Sequence, residues 1–239
     1  SKIKHLFKGK ASIKITRQPF KIDWSIIKSC VNLSSLAPLQ FIIGSCSWIV
    51  LARLVAETGQ SVASAGYQTA IRVVVFFILP AWGMSNASAT LVGQNLGANQ
   101  PERAEESVLK TAKYNAIFMG LVSVIFLVGA SPIISFFTSD ADVKAIAVQA
   151  LRIITTGYIF YGIGMVMTSA FNGSGDTWTP TWINLFCFLI FQIPFAYLLV
   201  IYFKMGPLGA FISIPVANTL VTIVGYYYFK KGKWKRVKV

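Results

Sequence analysis

TWTPTWINLFCFLIFQIPFAYLLVIYF, running from Thr177 to Phe203, contains no charged side chain. A helix rises about 1.5 Å per residue, so roughly 20 apolar residues cross a bilayer core of about 30 Å. The stretch is long enough to span, and it is not alone. Further uncharged runs lie within Ser29–Ala52, Val73–Pro101, Tyr114–Ser139, Ile153–Gly175 and Met205–Phe229. The sequence therefore predicts an all-α integral membrane protein built as a bundle of six transmembrane helices. A soluble bundle would need charged outer faces, which these runs lack.

Only 13% of the residues are charged, yet the net charge is +14. The cations gather at the ends, and they divide the chain into a basic arm (1–28), a transmembrane lobe (29–229) and a basic tail (230–239). The arm carries Lys2, Lys4, Lys8, Lys10, Lys14, Arg17, Lys21 and Lys28; the tail carries Lys230, Lys231, Lys233, Lys235, Arg236 and Lys238. The loop after the second span adds Arg103, Lys110 and Lys113. An even number of spans puts both termini on one side, and the positive-inside rule makes that side cytoplasmic. The opposite loops hold Glu57, Asp140 and Asp142 with few cations. The expected residence is the plasma or inner membrane.

In a membrane chain the basic excess reads as a margin against anionic headgroups, not as a nucleic-acid interface. Trp24 and Trp234, flanked by lysines, are expected as interfacial anchors, and Ile3–Ile27 as a surface-lying segment. That segment has no uninterrupted apolar core, so it is not read as a signal peptide. Cys30, Cys46 and Cys187 have no CxxC spacing, and His5 stands alone, so neither a disulfide framework nor a metal site is expected. No cluster of activated nucleophile, acid and base falls within a span, and no enzyme and no cofactor are expected. The chain opens with Ser1 and not Met, which suggests a fragment or a processed chain.

Two turns are well specified. LVGQNLGANQPERA (Leu91–Ala104) offers Gly97 as a helix terminator and Pro101 as a first-turn residue, with Glu102, Glu105 and Glu106 favourably placed at the new N-terminus. Asn172–Pro180 offers Gly173 and Gly175 for a tight reversal and Pro180 to open the next helix. Gly162 and Gly164 lie inside an apolar run, so they read as close helix packing. Pro38, Pro80, Pro194 and Pro215 lie within spans and predict kinks.

These turns, GDTWTP at Gly175–Pro180, and Tyr67–Arg72 ahead of Leu79-Pro80 resemble in order and spacing the second lobe of the multidrug and toxic compound extrusion (MATE) family. The resemblance covers essentially the whole chain. It implies one six-helix lobe of a twelve-helix, two-lobe secondary transporter that exports organic, often cationic compounds by cation-coupled antiport and alternating access. It also implies a matching N-terminal six-helix lobe as partner. The alternatives are a lobe of a lipid-linked oligosaccharide flippase, or a non-transporting scaffold or degenerate fragment.

Polar side chains inside a bilayer are costly, so they are the candidates for a transport pathway. On the second span Gln68, Arg72 and Asn86 share a face, and Tyr67 adjoins them. Arg72 either snorkels to headgroups or serves a cavity. On the fourth span Tyr158, Tyr161, Met165, Thr168 and Asn172 form a stripe of roughly 80°, which serves either interhelical hydrogen bonds or a cavity wall. Gln40, Gly44 and Ser47 share a face of the first span, and the fifth offers Asn184 and Gln192. Every carboxylate lies outside the spans or at their ends. Some members of the family carry a Glu and an Asp where this chain has residues near Gly44 and Tyr161. The resemblance therefore implies that an H+ or Na+ coupling site lies in the other lobe.

Overall fold

The computed structural model describes residues 23–236, so most of the basic arm and the last three residues of the tail lie outside the described residues. The described residues divide into two units, one ending at residue 34 and the other beginning at residue 35. Of the first, the described part is helical from Trp24. The second is the bundle.

Helical backbone runs from Trp24 to Gly97 (α1), with one interruption at Gln60, whose φ is 56° and ψ is −157°. The part from Leu36 onward is 62 residues, roughly 90 Å if it were straight and about three times a bilayer core. It is a hairpin. Gln40 bonds to Asn172 near one end of α1, and Gly93 meets the carbonyl of Gly173 near the other. Two points so far apart in sequence reach one turn only if the arms 35–59 and 61–97 run antiparallel. Gly59 permits the reversal, since a Cβ there would lie 2.2 Å from that of Ala63 and 2.6 Å from the Pro207 ring.

The next helix, α2 (Pro101–Ser135), opens with Pro101 in its first turn and Glu102 behind it. The expected terminator Gly97 ends α1, but the positive φ falls two residues later, at Asn99 (57°). Asparagine tolerates that region because its short polar side chain can bond locally.

The fourth crossing is not the single helix that the uncharged run suggested. It is α3 (Ala141–Thr155) followed by α4 (Tyr158–Gly173), bent by 55° at Thr156-Gly157. Asp140 caps α3 by accepting from the N–H groups of Asp142 and Val143, which satisfies two of the donors a helix start leaves unpaired. At the bend, Gly157 lets Pro215 approach; a Cβ at residue 157 would stand 2.6 Å from that of Pro215. The exposed carbonyls find side-chain donors. Ser123 bonds to the Thr155 carbonyl at 2.8 Å, Asn115 to that of Gly162 at 2.9 Å, and Thr222 to that of Phe160. Neighbours that re-satisfy the backbone are what a broken helix requires inside a membrane.

The fifth crossing, α5 (Trp178–Tyr202), contains two π-helical stretches, Leu185–Gln192 and Leu198–Tyr202, on either side of a short α-turn holding Pro194. The sixth, α6 (Pro207–Lys230), carries Pro215 inside it, and a short 3-10 turn follows at Lys233–Arg236. Helical dihedrals also run through Pro38 and Pro80.

Among the described residues, four helices are long and apolar enough to cross a membrane, or five with the bent pair as one. Because Gln60 divides the first into two arms, the bundle has six crossings, as the sequence predicted. Their ends sort into two groups. One joins Gln40, Gly93, Glu105, Asn172 and Lys230; the other joins Gly59 to Pro207 and Gly66 to Val143. Each end has its own apolar cluster. Tyr67, Phe126, Leu151, Tyr158 and Phe211 belong to one, and Val108, Phe171, Cys187, Phe229 and Trp234 to the other. Trp234 is not an interfacial anchor. It is 1% exposed, stacks on Phe229 at 4.9 Å and donates to the Phe229 carbonyl at 3.0 Å. Gly162 and Gly164 seat Met119 and Thr222 closely, as packing glycines do.

Candidate functional site

Between the α1 hairpin and α3–α6 lies a cleft of about 510 Å³. Among its lining residues are Trp48 and Trp82 from the two hairpin arms, Tyr161 from α4, Phe188 from α5 and Ile214 from α6. The crossing formed by α2 contributes nothing to the lining. Ligand pockets are characteristically of this kind, apolar and aromatic with a few placed polar groups. Here those groups are Gln40, Gln192 and Asn218, with Ser45 and the two tyrosines. The lining holds no carboxylate and no cationic side chain.

The polar groups are positioned from behind. The Ser47 hydroxyl, fully buried, donates to Gln192 Oε1 at 2.9 Å. That bond fixes the amide at the end of the first π-stretch and leaves its NH2 without a protein partner among the described residues. Gln40 is held by Asn172 and by the Thr177 carbonyl, to which it donates at 3.3 Å. Tyr158 is 2% exposed with its ring edge-on to Phe126 at 6.0 Å, and its hydroxyl has no hydrogen-bond partner among the described residues.

Of the residues singled out in the sequence, Gln40, Tyr158, Tyr161 and Gln192 line the cleft together. Tyr67, Gln68, Arg72, Asn86 and Asn184 are not among its lining residues. Tyr67 is buried, stacked on Phe211 at 5.7 Å, and its hydroxyl has no hydrogen-bond partner among the described residues. Gln68 and Asn86 are exposed at 100° per residue on the same side of the helix as Val75, Leu79 and Trp82 of the cleft, one pair of turns before them and one turn after. Arg72 is exposed and enters no ion pair among the described residues. Asn184 is half-buried in α5. Asn218, Trp48 and Trp82 were missed. Asn218, a lone amide within an apolar span, carried the same signal as Gln192 and was legible by that criterion. No group of three or more His, Cys, Asp or Glu that could hold a metal occurs among the described residues.

Comparison with known proteins gives this architecture its kin. The probable multidrug resistance protein YoeA of Bacillus subtilis is 26% identical over 228 residues, covering 95% of this chain and 48% of its own length. The probable multidrug resistance protein NorM of Thermotoga maritima is 27% identical over 89% of this chain and 46% of its own. An FAD transporter of Shewanella oneidensis is 26% identical over 94% of this chain and 48% of its own. The chain thus spans about half the length of the curated relatives it matches. Among solved structures, a MOP-superfamily transporter from Pyrococcus furiosus superposes with a TM-score of 0.88 at 22% identity, covering 97% of this chain and 52% of that one. An outward-facing MATE transporter superposes at 0.86 with 24% identity, over 94% and 50%. At such identities the structures establish the fold alone. The family model MatE matches residues 37–198, most of the bundle, and the chain belongs to the MATE family of multi-pass membrane transporters.

Proposed function

We propose that the chain is one lobe of a two-lobe efflux transporter, the half that follows an N-terminal six-helix lobe, and that it exports organic compounds by alternating access. The observation that carries this reading is the aromatic cleft of about 510 Å³, walled by every crossing except α2. Trp48, Trp82 and Tyr161 offer ring faces on which an organic cation gains attraction without any carboxylate, and Gln40, Gln192 and Asn218 offer hydrogen bonds. The half-length match to full-size transporters supports a missing partner lobe, and alternating access between two repeats is the general scheme for such folds. The basic end of the bundle faces the cytoplasm in this reading, on the positive-inside rule. Coupling to H+ or Na+ resides in the other lobe, because the cleft has no group that binds either near neutral pH. A flippase for lipid-linked oligosaccharides fits less well, since an anionic cargo calls for a cationic cavity and this lining has no cation.

The test is reconstitution in liposomes with a fluorescent organic cation. Gradient-driven dye movement is expected when the chain is paired with the N-terminal lobe of a relative, and not with the chain alone. Export by the lone chain as a monomer would sink the proposal.

A further inference from the structure

A second concavity, of about 530 Å³, lies between α5 and α6 at the basic end of the bundle. Its walls are Trp178, Trp182 and Phe186 of α5 with Val224 and Tyr228 of α6, and it shares no residue with the cleft. Trp178 and Trp182 stack at 6.5 Å with their planes 24° apart, and both are more than half exposed. The groove is an open, greasy channel with a rigid aromatic wall.

Two features select its occupant. Tryptophan and tyrosine are enriched at headgroup level, where one side of the ring is dry and the other wet. The mouth is also cationic. Lys231 Nζ lies 5.4 Å from the ring centroid of Tyr228, a groove residue, and 4.3 Å from that of Tyr227. Glu105 takes Lys230 and Lys235, whereas Lys231 and Lys233 enter no ion pair among the described residues. The carboxylate adjoining the groove, Asp176, is engaged by the N–H and hydroxyl of Thr179 at 3.1 and 2.6 Å.

We propose that this groove binds an anionic glycerophospholipid of the surrounding leaflet. An acyl chain lies against Trp178, Trp182, Phe186 and Val224, Lys231 at the mouth holds the phosphate-bearing headgroup, and Lys233, exposed two residues further on, adds to the positive field there. A zwitterionic lipid offers the same hydrocarbon, but its own ammonium cancels the attraction. The lysines, not the apolar wall, therefore set the choice of lipid.

Brominated lipids quench tryptophan only on close contact, so they report occupancy directly. The full chain is reconstituted in phosphatidylcholine vesicles carrying a minor fraction of brominated phosphatidylglycerol or, in parallel, of brominated phosphatidylcholine. Stronger quenching by phosphatidylglycerol is expected. In Lys231→Gln/Lys233→Gln the preference falls by about five-fold per lysine, equivalent to ~1 kcal/mol each. In Trp178→Phe/Trp182→Phe the excess quenching disappears. Equal quenching by the two lipids overturns the proposal, as does an excess that survives either double variant. General attraction of lipid to the basic tail is recognised by the second result, because it would still quench the remaining tryptophans.

Discussion

Gln40 and Asn172 donate to each other. Gln40 Nε2 reaches Asn172 Oδ1 at 3.1 Å, and Asn172 Nδ2 reaches Gln40 Oε1 at 3.2 Å. The two amides close a ring that ties the first arm of α1 to the end of α4, at one edge of the cleft. Interhelical bonds of this type average about 0.6 kcal/mol and reach about 1.7 kcal/mol. Asn172→Leu and Gln40→Leu are each expected to cost about 1 kcal/mol in reversible unfolding in detergent. The double variant should cost less than the sum, because one reciprocal pair is lost in all three. Strict additivity would show that the amides act separately.

Gly173 and Gly83 provide a contrast. A Cβ at residue 173 would stand 2.3 to 2.8 Å from backbone atoms of Ala89, which cannot swing aside, whereas a Cβ at residue 83 meets nothing within 4 Å. Gly173→Ala is expected to cost about 3 kcal/mol, the upper range for overpacking. Gly83→Ala is expected to stabilise by about 0.5–1 kcal/mol through helix propensity. Thermal unfolding of the two variants side by side checks both signs.

Ser47 is expected to act on ligand binding although it is not among the cleft-lining residues. Its hydroxyl holds the Gln192 carbonyl oxygen at 2.9 Å, and so decides which way the amide presents its NH2. Ser47→Ala frees the amide to rotate, and dye binding, followed by quenching of Trp48 and Trp82, should weaken about five-fold, the equivalent of one hydrogen bond at ~1 kcal/mol. Ser47→Thr keeps the hydroxyl and should restore most of the affinity.

The tail is held by two unequal devices. Trp234 is buried on Phe229, while Glu105 bridges Lys235, which like itself is about one-quarter exposed, and the half-exposed Lys230. Partly exposed ion pairs contribute roughly 0–1 kcal/mol, whereas removing a buried tryptophan costs several times more. Trp234→Ala should release residues 233–236 to rapid tryptic cleavage. Glu105→Gln should speed cleavage only slightly.

The crossings were legible because unpaired charge is costly in hydrocarbon and therefore rare there, and that rule acts on each span by itself. What was not legible depends on distant partners. At the bend, Pro215, far away in sequence, packs into the space that a side chain at residue 157 would fill. Ser123 on α2 makes the bend tolerable by bonding the Thr155 carbonyl. No local pattern announces such an arrangement. Gln60, a positive-φ residue without glycine's freedom, likewise gave no turn signal. Of the intramembrane amides singled out in the sequence, Gln40 and Gln192 line the cleft, where helices converge. Gln68 and Asn86 do not, because periodicity identifies a face but not the depth at which neighbouring helices enclose it.

The lining of the cleft bears no formal charge at neutral pH, and this has an electrical consequence. A membrane potential acts on charge with about 2.3 kcal/mol per elementary charge per 100 mV. A neutral wall that swings from one side of the membrane to the other carries no current of its own. Within this cleft, voltage can therefore act only on what the cleft contains. In the proposed alternating-access cycle, the empty pocket returns without electrical work whichever way the field points, and a bound organic cation is what the voltage acts on.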